Sequence, residues 1–231
     1  MMSVAGNLLL IEERLEKACR LSGRNRDEIR LMGVTKFHGR SVVEEAWKAG
    51  VDLFGENRVQ EAEKKFEGRR ESFPGLDLHL IGSLQRNKAR KAAAFFDCIE
   101  SVDREALITA LGACTTEFAP LKILFELHAG EESKRGFPDE DGLLRAAELA
   151  LSFPGLKPAG LMAMAPFTAD EASVRAAFRR AARARERLAA AFPEADWSCL
   201  SMGMSGDFEI AVEEGSTLVR IGTILFGERL P

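Results

Sequence analysis

The chain has no tyrosine, although its 231 residues include 15 phenylalanines. A mechanism that needs a phenolic acid or base from within one chain is therefore excluded. Long apolar runs are also missing. None approaches the roughly 18 residues of a membrane span, so no membrane association is expected. The opening MMSVAGNLLLIEER has only a four-residue apolar run ahead of two glutamates, and a signal peptide is not expected. Histidine is scarce (His38, His79, His128), and the four cysteines (Cys19, Cys98, Cys114, Cys199) form no CxxC pair. No metal site is expected, and the thiols read as reduced and buried in a cytoplasmic protein. An excess of one charge is lacking too. Against 32 basic residues stand 36 acidic ones, a formal net charge of -4, which argues against a nucleic-acid surface. The basic cluster RRAARARER (179–187) is diluted by alanine and reads as a solvated helix face. No linker, repeat or low-complexity tract interrupts the chain, so residues 1–231 read as one domain, and no large apolar patch argues against a monomer.

What is present is an alternation of strand-like and helix-like stretches. An amphipathic helix over 4–21 precedes the main pattern. Strands are expected near 29–36, 52–55, 77–83, 97–102, 121–128, 157–165, 197–202 and 217–226. Helical stretches separate them. One carries Val174, Phe178, Ala181, Leu188 and Phe192 on one stripe, and EALITALGACTTEF carries Leu107, Leu111, Cys114 and Phe118. Capping boxes are expected at Ser41-x-x-Glu44, Thr168-x-x-Glu171 and, more loosely, Asn57-x-x-Gln60, with Gly50 and Gly215 ending helices. Near-continuous apolar strands such as LKILFEL suit parallel strands covered on both faces. Eight strands, the first seven each followed by a helix, predict a (β/α)8 TIM barrel with an extra N-terminal helix; an open doubly wound sheet is the alternative. In a barrel, chemistry sits where strands end and helices begin.

Three stretches place reactive groups at such ends. In RLMGVTKFHG, Leu31, Met32 and Val34 put a strand in the core, and the strand runs into Lys36. Burial favours the neutral amine, a nucleophile toward carbonyls. The plainer reading is a lysine that snorkels from the barrel mouth or pairs with a carboxylate. In SMGMSGDF, Ser201, Gly203, Ser205 and Gly206 lead from the seventh strand into a helix, which suits an anion, though turn chemistry alone would select the same residues. TLVRIGTILFG sets Arg220 in an apolar strand, followed by Gly222 and Thr223. A buried guanidinium needs a partner, whether a ligand or an ion pair within the barrel. Loops after the seventh and eighth strands of such barrels often bind phosphate. FGENRVQE ends the second strand at Asn57, which either caps a helix or meets a ligand. HLIGSLQRNKAR ends the third with Gly82, Ser83, Gln85, Asn87 and Lys88. A Schiff-base lysine, a phosphate cradle and a buried arginine together suit an aldehyde that carries a phosphate, such as pyridoxal 5'-phosphate.

GVTKFHG, FGENRVQE, HLIGSLQRNK, ESKRGF, GLMAM and SMGMSGDFEIAVEEGSTLVRIGTILFGER occur in that order. Together they resemble the pyridoxal-phosphate homeostasis family, single-domain barrels of fold type III similar to the N-terminal domain of alanine racemase. The resemblance runs from about residue 30 to residue 228. It implies that Lys36 holds pyridoxal 5'-phosphate as an internal aldimine, and that Ser201, Gly222 and Thr223 hold the phosphate with backbone around Gly203 to Ser205. It further implies that Arg220 lies by the ring nitrogen or phosphate and that Asn57 and Met204 line the pocket. The implied function is buffering and delivery of the cofactor, and so amino-acid and keto-acid balance, with no robust catalysis. Enzymes awaiting the cofactor are the implied partners. His128 stands where the family usually has asparagine, and Phe37 follows the lysine. The alternatives are a weak racemase or lyase on the same cofactor, and a Schiff-base barrel enzyme acting on a sugar phosphate. A second cofactor site near Lys88 or Lys134 stays open.

Overall fold

The computed structural model describes residues 3–130 and 136–227. The ESKR stretch with Lys134, and the chain from residue 228 onward, lie outside the described residues. Eight parallel strands close in sequence order into a barrel: β1 Arg30–Val34, β2 Leu53–Glu56, β3 Asp77–Leu80, β4 Cys98–Val102, β5 Leu121–Leu127, β6 Leu156–Ala163, β7 Cys199–Ser201 and β8 Leu218–Ile221. The seam is sealed by β8 on β1, with Met32 opposite Arg220. Helices fill the connections: α1 Val4–Ser22 before β1, α2 Arg40–Lys48, α3 Val59–Lys65 and α4 Arg69–Ser72, then α5 Ala89–Phe95, α6 Glu105–Gly112, α7 Glu140–Leu151, α8 Glu171–Ala191, α9 Phe208–Glu213 and α10 Thr223–Phe226.

Two layers of side chains follow from the two-residue alternation of each strand. Outward residues such as Phe54, Leu78, Ile99, Phe125 and Leu161 join the helices in the main core. Inward residues pack in two small apolar groups, Met32, Val34, Leu53 and Leu218 on one side and Cys98, Leu124, Ala159 and Met162 on the other. Burial raises the pKa of both inward thiols, Cys199 to about 12, so they stay protonated.

Helix α1 covers the seam. The four-residue α10 is too short to shield β8 and β1 alone, and α1 packs on both α9 and α10. Arg14 forms a bidentate pair with Glu209 and stacks 4.5 Å over Phe208, while the Asn7 amide donates to the Leu225 carbonyl at 3.0 Å.

Local signals misplace several boundaries. The eighth strand stops at Ile221 rather than continuing to 226, because Gly222 turns the chain and its carbonyl accepts from the N–H groups of Leu225 and Phe226. An apolar run does not by itself separate strand from buried helix. Helix α6 ends at Gly112, and Phe118, expected on its apolar stripe, is 90% exposed. The expected caps sit up to two residues off. Helix α2 begins after Gly39, α3 after Arg58, and α8 after Asp170, whose carboxylate accepts from the N–H groups of Ala172 and Ser173. Thr168 instead accepts from the Asp170 N–H at 3.1 Å. Gly50 and Gly215 follow helices with φ of +100° and +98°, as expected for helix ends. The RRAARARER face is not merely solvated, since Arg179 pairs with Glu214 and Arg187 with Glu140 and Asp141. Among the described residues no helix is long and apolar enough to cross a membrane.

Candidate functional site at the barrel mouth

The C-terminal ends of the strands surround a cavity of about 740 Å³, within the usual range for small-molecule sites. It brings together seven of the nine residues expected to touch a cofactor: Lys36, Asn57, Met204, Ser205, Arg220, Gly222 and Thr223. They come from the turns after β1, β2, β7 and β8, and from β8 itself. Residues as far apart in sequence as Lys36 and Thr223 meet here because the closed barrel points every strand end at one opening.

Lys36 stands two residues past β1, in a turn, and is half-buried. The expectation that it ends the strand inside the core is corrected. Among the described residues the buried lysine is Lys65, whose ammonium lies 2.6 Å from the fully buried Glu56 carboxylate. The Lys36 turn is closed by the His38 N–H donating to the Thr35 carbonyl at 3.0 Å. Phe37 within it has φ +69°, the left-handed region that a bulky residue rarely adopts.

Arg220 is nearly fully buried, and its partners are within the barrel. One guanidinium nitrogen donates to the carbonyl and hydroxyl oxygens of Ser201, both at 2.7 Å, and another donates to the Ala163 carbonyl at 3.0 Å. Ser201 donates in turn to Glu100 at 2.6 Å, and the other Glu100 oxygen lies 2.7 Å from His79 Nδ1. Burial alone would raise the Glu100 pKa, but His79, the Arg220 charge and Ser201 hold it below the ordinary carboxylate range. The guanidinium is therefore balanced through Ser201 by a carboxylate on the far side of the barrel.

Ser201 and Gly203 do not line the cavity. The single proton of Ser201 is given to Glu100, so none is left for a phosphate. Gly203 has φ +93°, and a Cβ there would lie 2.5 Å from that of Ala211; its carbonyl accepts the Arg220 N–H at 2.9 Å. Thr223 and Ser205 are the cavity hydroxyls on this side, with Gly206 and Gly222 between them. Ser205 also accepts, at 3.5 Å, from the Ile224 N–H.

Of the β3 cluster, Gly82 and Ser83 line the cavity, whereas Gln85, Asn87 and Lys88 do not. A Cβ on Gly82 would fall 2.2 Å from the Asn57 carbonyl oxygen, so only glycine lets these two turns approach. Lys88 donates instead to Gln60 at 3.2 Å. The fifth strand contributes Glu126 rather than His128, whose N–H bonds the Phe137 carbonyl. Sequence reasoning did not single out Glu126, Glu100, His79 or Asp207. Inward charged positions in otherwise apolar strands, as in FEL and IES, were the available signal. Asp207 lines the cavity with its pKa raised by burial, opposed by the Met204 N–H and by Arg220. Among the described residues no cluster of metal-ligating side chains forms.

The closed barrel of eight parallel strands has the architecture of the alanine racemase N-terminal domain. The family model described as alanine racemase, N-terminal domain, matches residues 8–230. Within that class, the chain belongs to the pyridoxal phosphate homeostasis protein family. The Vibrio cholerae protein of that name is 39% identical over 99% of this chain and 98% of its own, and the Escherichia coli K12 protein is 35% identical over 99% and 98%. PipY of Synechococcus elongatus PCC7942, solved with PLP bound, superposes with a TM-score of 0.80 at 37% identity, covering 94% of this chain and 100% of its own. The alanine racemase of E. faecalis shares the fold alone, with a TM-score of 0.71 at 15% identity over 59% of its length.

Proposed function

We propose that this chain binds pyridoxal 5'-phosphate at the barrel mouth and serves in its intracellular homeostasis, as a monomeric, cytoplasmic single-domain carrier that buffers the cofactor and delivers it to apoenzymes. The observation that carries this reading is the convergence of Lys36, Arg220, Ser205 and Thr223 on one cavity. The donor set fits the ligand: an amine for the aldehyde, a guanidinium for the ring, and hydroxyls beside two glycines for the phosphate. Gly206 is exposed and an added Cβ there would meet nothing within 4 Å, so its backbone is open to a ligand.

When bound, the cofactor supplies an electrophilic aldehyde and a ring able to withdraw electrons. Lys36 supplies the amine that condenses with that aldehyde, releasing water. Thr223 and Ser205 donate to the phosphate. Arg220 would lie by the ring nitrogen or the phosphate; beside the nitrogen its charge would disfavour protonation there and leave a weaker electron sink. With no tyrosine in the chain, a lysine–tyrosine pair of bases is unavailable. These features support holding over turnover. A second reading, slow turnover of an amino acid on the same cofactor, draws on Glu126 and Asp207 in the cavity. It is tested by following loss of an amino acid Cα hydrogen in deuterated buffer.

The primary test is the visible spectrum of the purified protein after addition of pyridoxal 5'-phosphate, followed by borohydride reduction and peptide mapping. A band, with the reduced label on Lys36, is the expected result. No band at any ligand concentration would overturn the reading and favour a sugar phosphate as ligand. Thr223→Ala is expected to weaken cofactor retention by the worth of one charge-assisted hydrogen bond, about 1.5–3 kcal/mol, or roughly ten- to a hundredfold in Kd. Unchanged affinity on equilibrium dialysis would remove Thr223 from the phosphate site.

A further inference from the structure

Behind the wall that carries Lys36 lies a second, buried polar cluster that the ligand site does not use. Glu56, the last residue of β2, points away from the barrel interior toward α3 and is fully buried. Lys65, the last residue of α3, is also buried, and its ammonium lies 2.6 Å from Glu56 Oε1 and 2.5 Å from the Thr35 carbonyl oxygen. The Thr35 hydroxyl donates to the same carboxylate oxygen at 2.5 Å. Thr35 is thereby held through its carbonyl and its side chain, and its N–H bonds the Gly55 carbonyl at 3.2 Å.

Such a cluster is a poor device for stability alone. Taking two opposite charges out of water costs about what their attraction returns, and an apolar pair of similar volume often serves as well or better. Here the cost is increased, because Glu56 Oε2 is buried with no hydrogen-bond partner among the described residues. What the cluster does specify is position. Thr35 is the first residue of the turn that presents Lys36, and Thr35 to His38 closes that turn. Phe37 is the only non-glycine residue with positive φ among the described residues. A bulky side chain in that conformation persists only where its surroundings over-determine the backbone. The end of α3 is itself anchored, since Arg40 donates to the Lys65 carbonyl at 3.4 Å and to the Glu67 carbonyl just beyond it at 2.6 Å.

We propose that Lys65 and Glu56 are positioning residues, a buried clamp that acts through Thr35 to hold the strained Lys36 turn in the geometry from which its amine captures an aldehyde. The inference rests on the reading of Lys36 as the residue that holds the ligand. The clamp touches neither ligand nor cavity. Its effect is on where the Lys36 backbone stands, and so on the rate at which the amine meets a carbonyl.

The test is stopped-flow formation of the visible band with pyridoxal 5'-phosphate, in the parent and in the double variant Lys65→Met with Glu56→Leu. The double variant is expected to melt at or above the parent temperature and yet to capture the ligand about ten- to a hundredfold more slowly, the scale set by small misplacements of a reacting group. Adding Phe37→Asn, which tolerates the left-handed region, is expected to restore most of that rate by removing the strain the clamp opposes. Phe37→Asn in the parent background gives the reference. If the double variant does not fold, Lys65→Met alone, with and without Phe37→Asn, gives the same comparison. Capture at the parent rate would overturn the proposal. So would a loss of rate that follows a fall in melting temperature and is not rescued by Phe37→Asn. A parent protein without a band would mean that the assignment of Lys36 itself fails, an outcome distinct from failure of the clamp.

Discussion

Lys36→Ala is expected to leave the protein colourless after incubation with pyridoxal 5'-phosphate and gel filtration, while the parent keeps its band. The loss is expected to be complete rather than partial, because among the described residues no other lysine lines the cavity. Lys65 is buried behind the wall and held by Glu56 and the Thr35 carbonyl, and Lys88 donates to Gln60 away from the cavity. The same variant should lose the thermal stabilisation that added cofactor confers on the parent. A ligand at 100 times its Kd stabilises the folded state by about 2.7 kcal/mol, and a variant that binds only through the phosphate would need far more ligand for the same shift. A band of parent intensity in Lys36→Ala, or a borohydride label on another lysine, would overturn the assignment.

Glu100→Ala is expected to cost about 3–5 kcal/mol of folding stability, the usual loss when one member of a buried charged network is removed. The carboxylate is fully buried, accepts from Ser201 and meets His79 Nδ1, and it is the counter-charge that Arg220 reaches through Ser201. Removing it leaves a buried guanidinium whose hydrogen-bond acceptors among the described residues, the Ser201 and Ala163 oxygens, are all neutral. Glu100→Gln, which keeps the shape, should lose less. The pH dependence has a definite sign. Glu100 is held below its ordinary pKa, so its contribution is present above the unfolded carboxylate value of about 4.3 and is lost as pH falls through the lower folded value. Glu56 runs the other way. Burial raises its pKa against the pull of Lys65, so its ionisation lowers stability as pH rises through the folded value. Urea unfolding of the parent and of Glu100→Gln across the acid range checks this, since the parent should lose more stability than the variant as pH drops below about 4. A loss under 1 kcal/mol for Glu100→Ala at neutral pH would show that Arg220 does not depend on this carboxylate.

The barrel was legible because the signals that encode it are local. Apolar stretches such as LKILFEL and the intervening helical periods depend on near neighbours, and the register that seals β8 to β1 follows once eight such units are present. Element ends were less legible. The TILF run reads equally as strand or helix, and only the turn at Gly222 decides for α10. Lys36, Asn57, Met204, Ser205, Arg220, Gly222 and Thr223 could be picked out because reactive or permissive residues at strand ends are unusual in themselves, and all seven face the cavity.

Ser201 shows where that reasoning stops. A serine before a glycine-rich turn looks like a phosphate ligand, yet Ser201 spends its proton on Glu100, a residue 101 positions earlier. Sequence alone determined the closed-barrel pattern, the absence of a phenolic base and the meeting of an amine with hydroxyls and glycines at strand ends, because each is a property of a short segment or of composition. Only the tertiary structure decided that Arg220 is balanced through Ser201 by Glu100, that Glu126 and Asp207 face the cavity, and that Lys65, not Lys36, is the buried lysine. Those outcomes depend on which inward or outward side chains the closure of the barrel sets within hydrogen-bonding distance, and distance across a barrel leaves no mark on neighbouring residues in the chain.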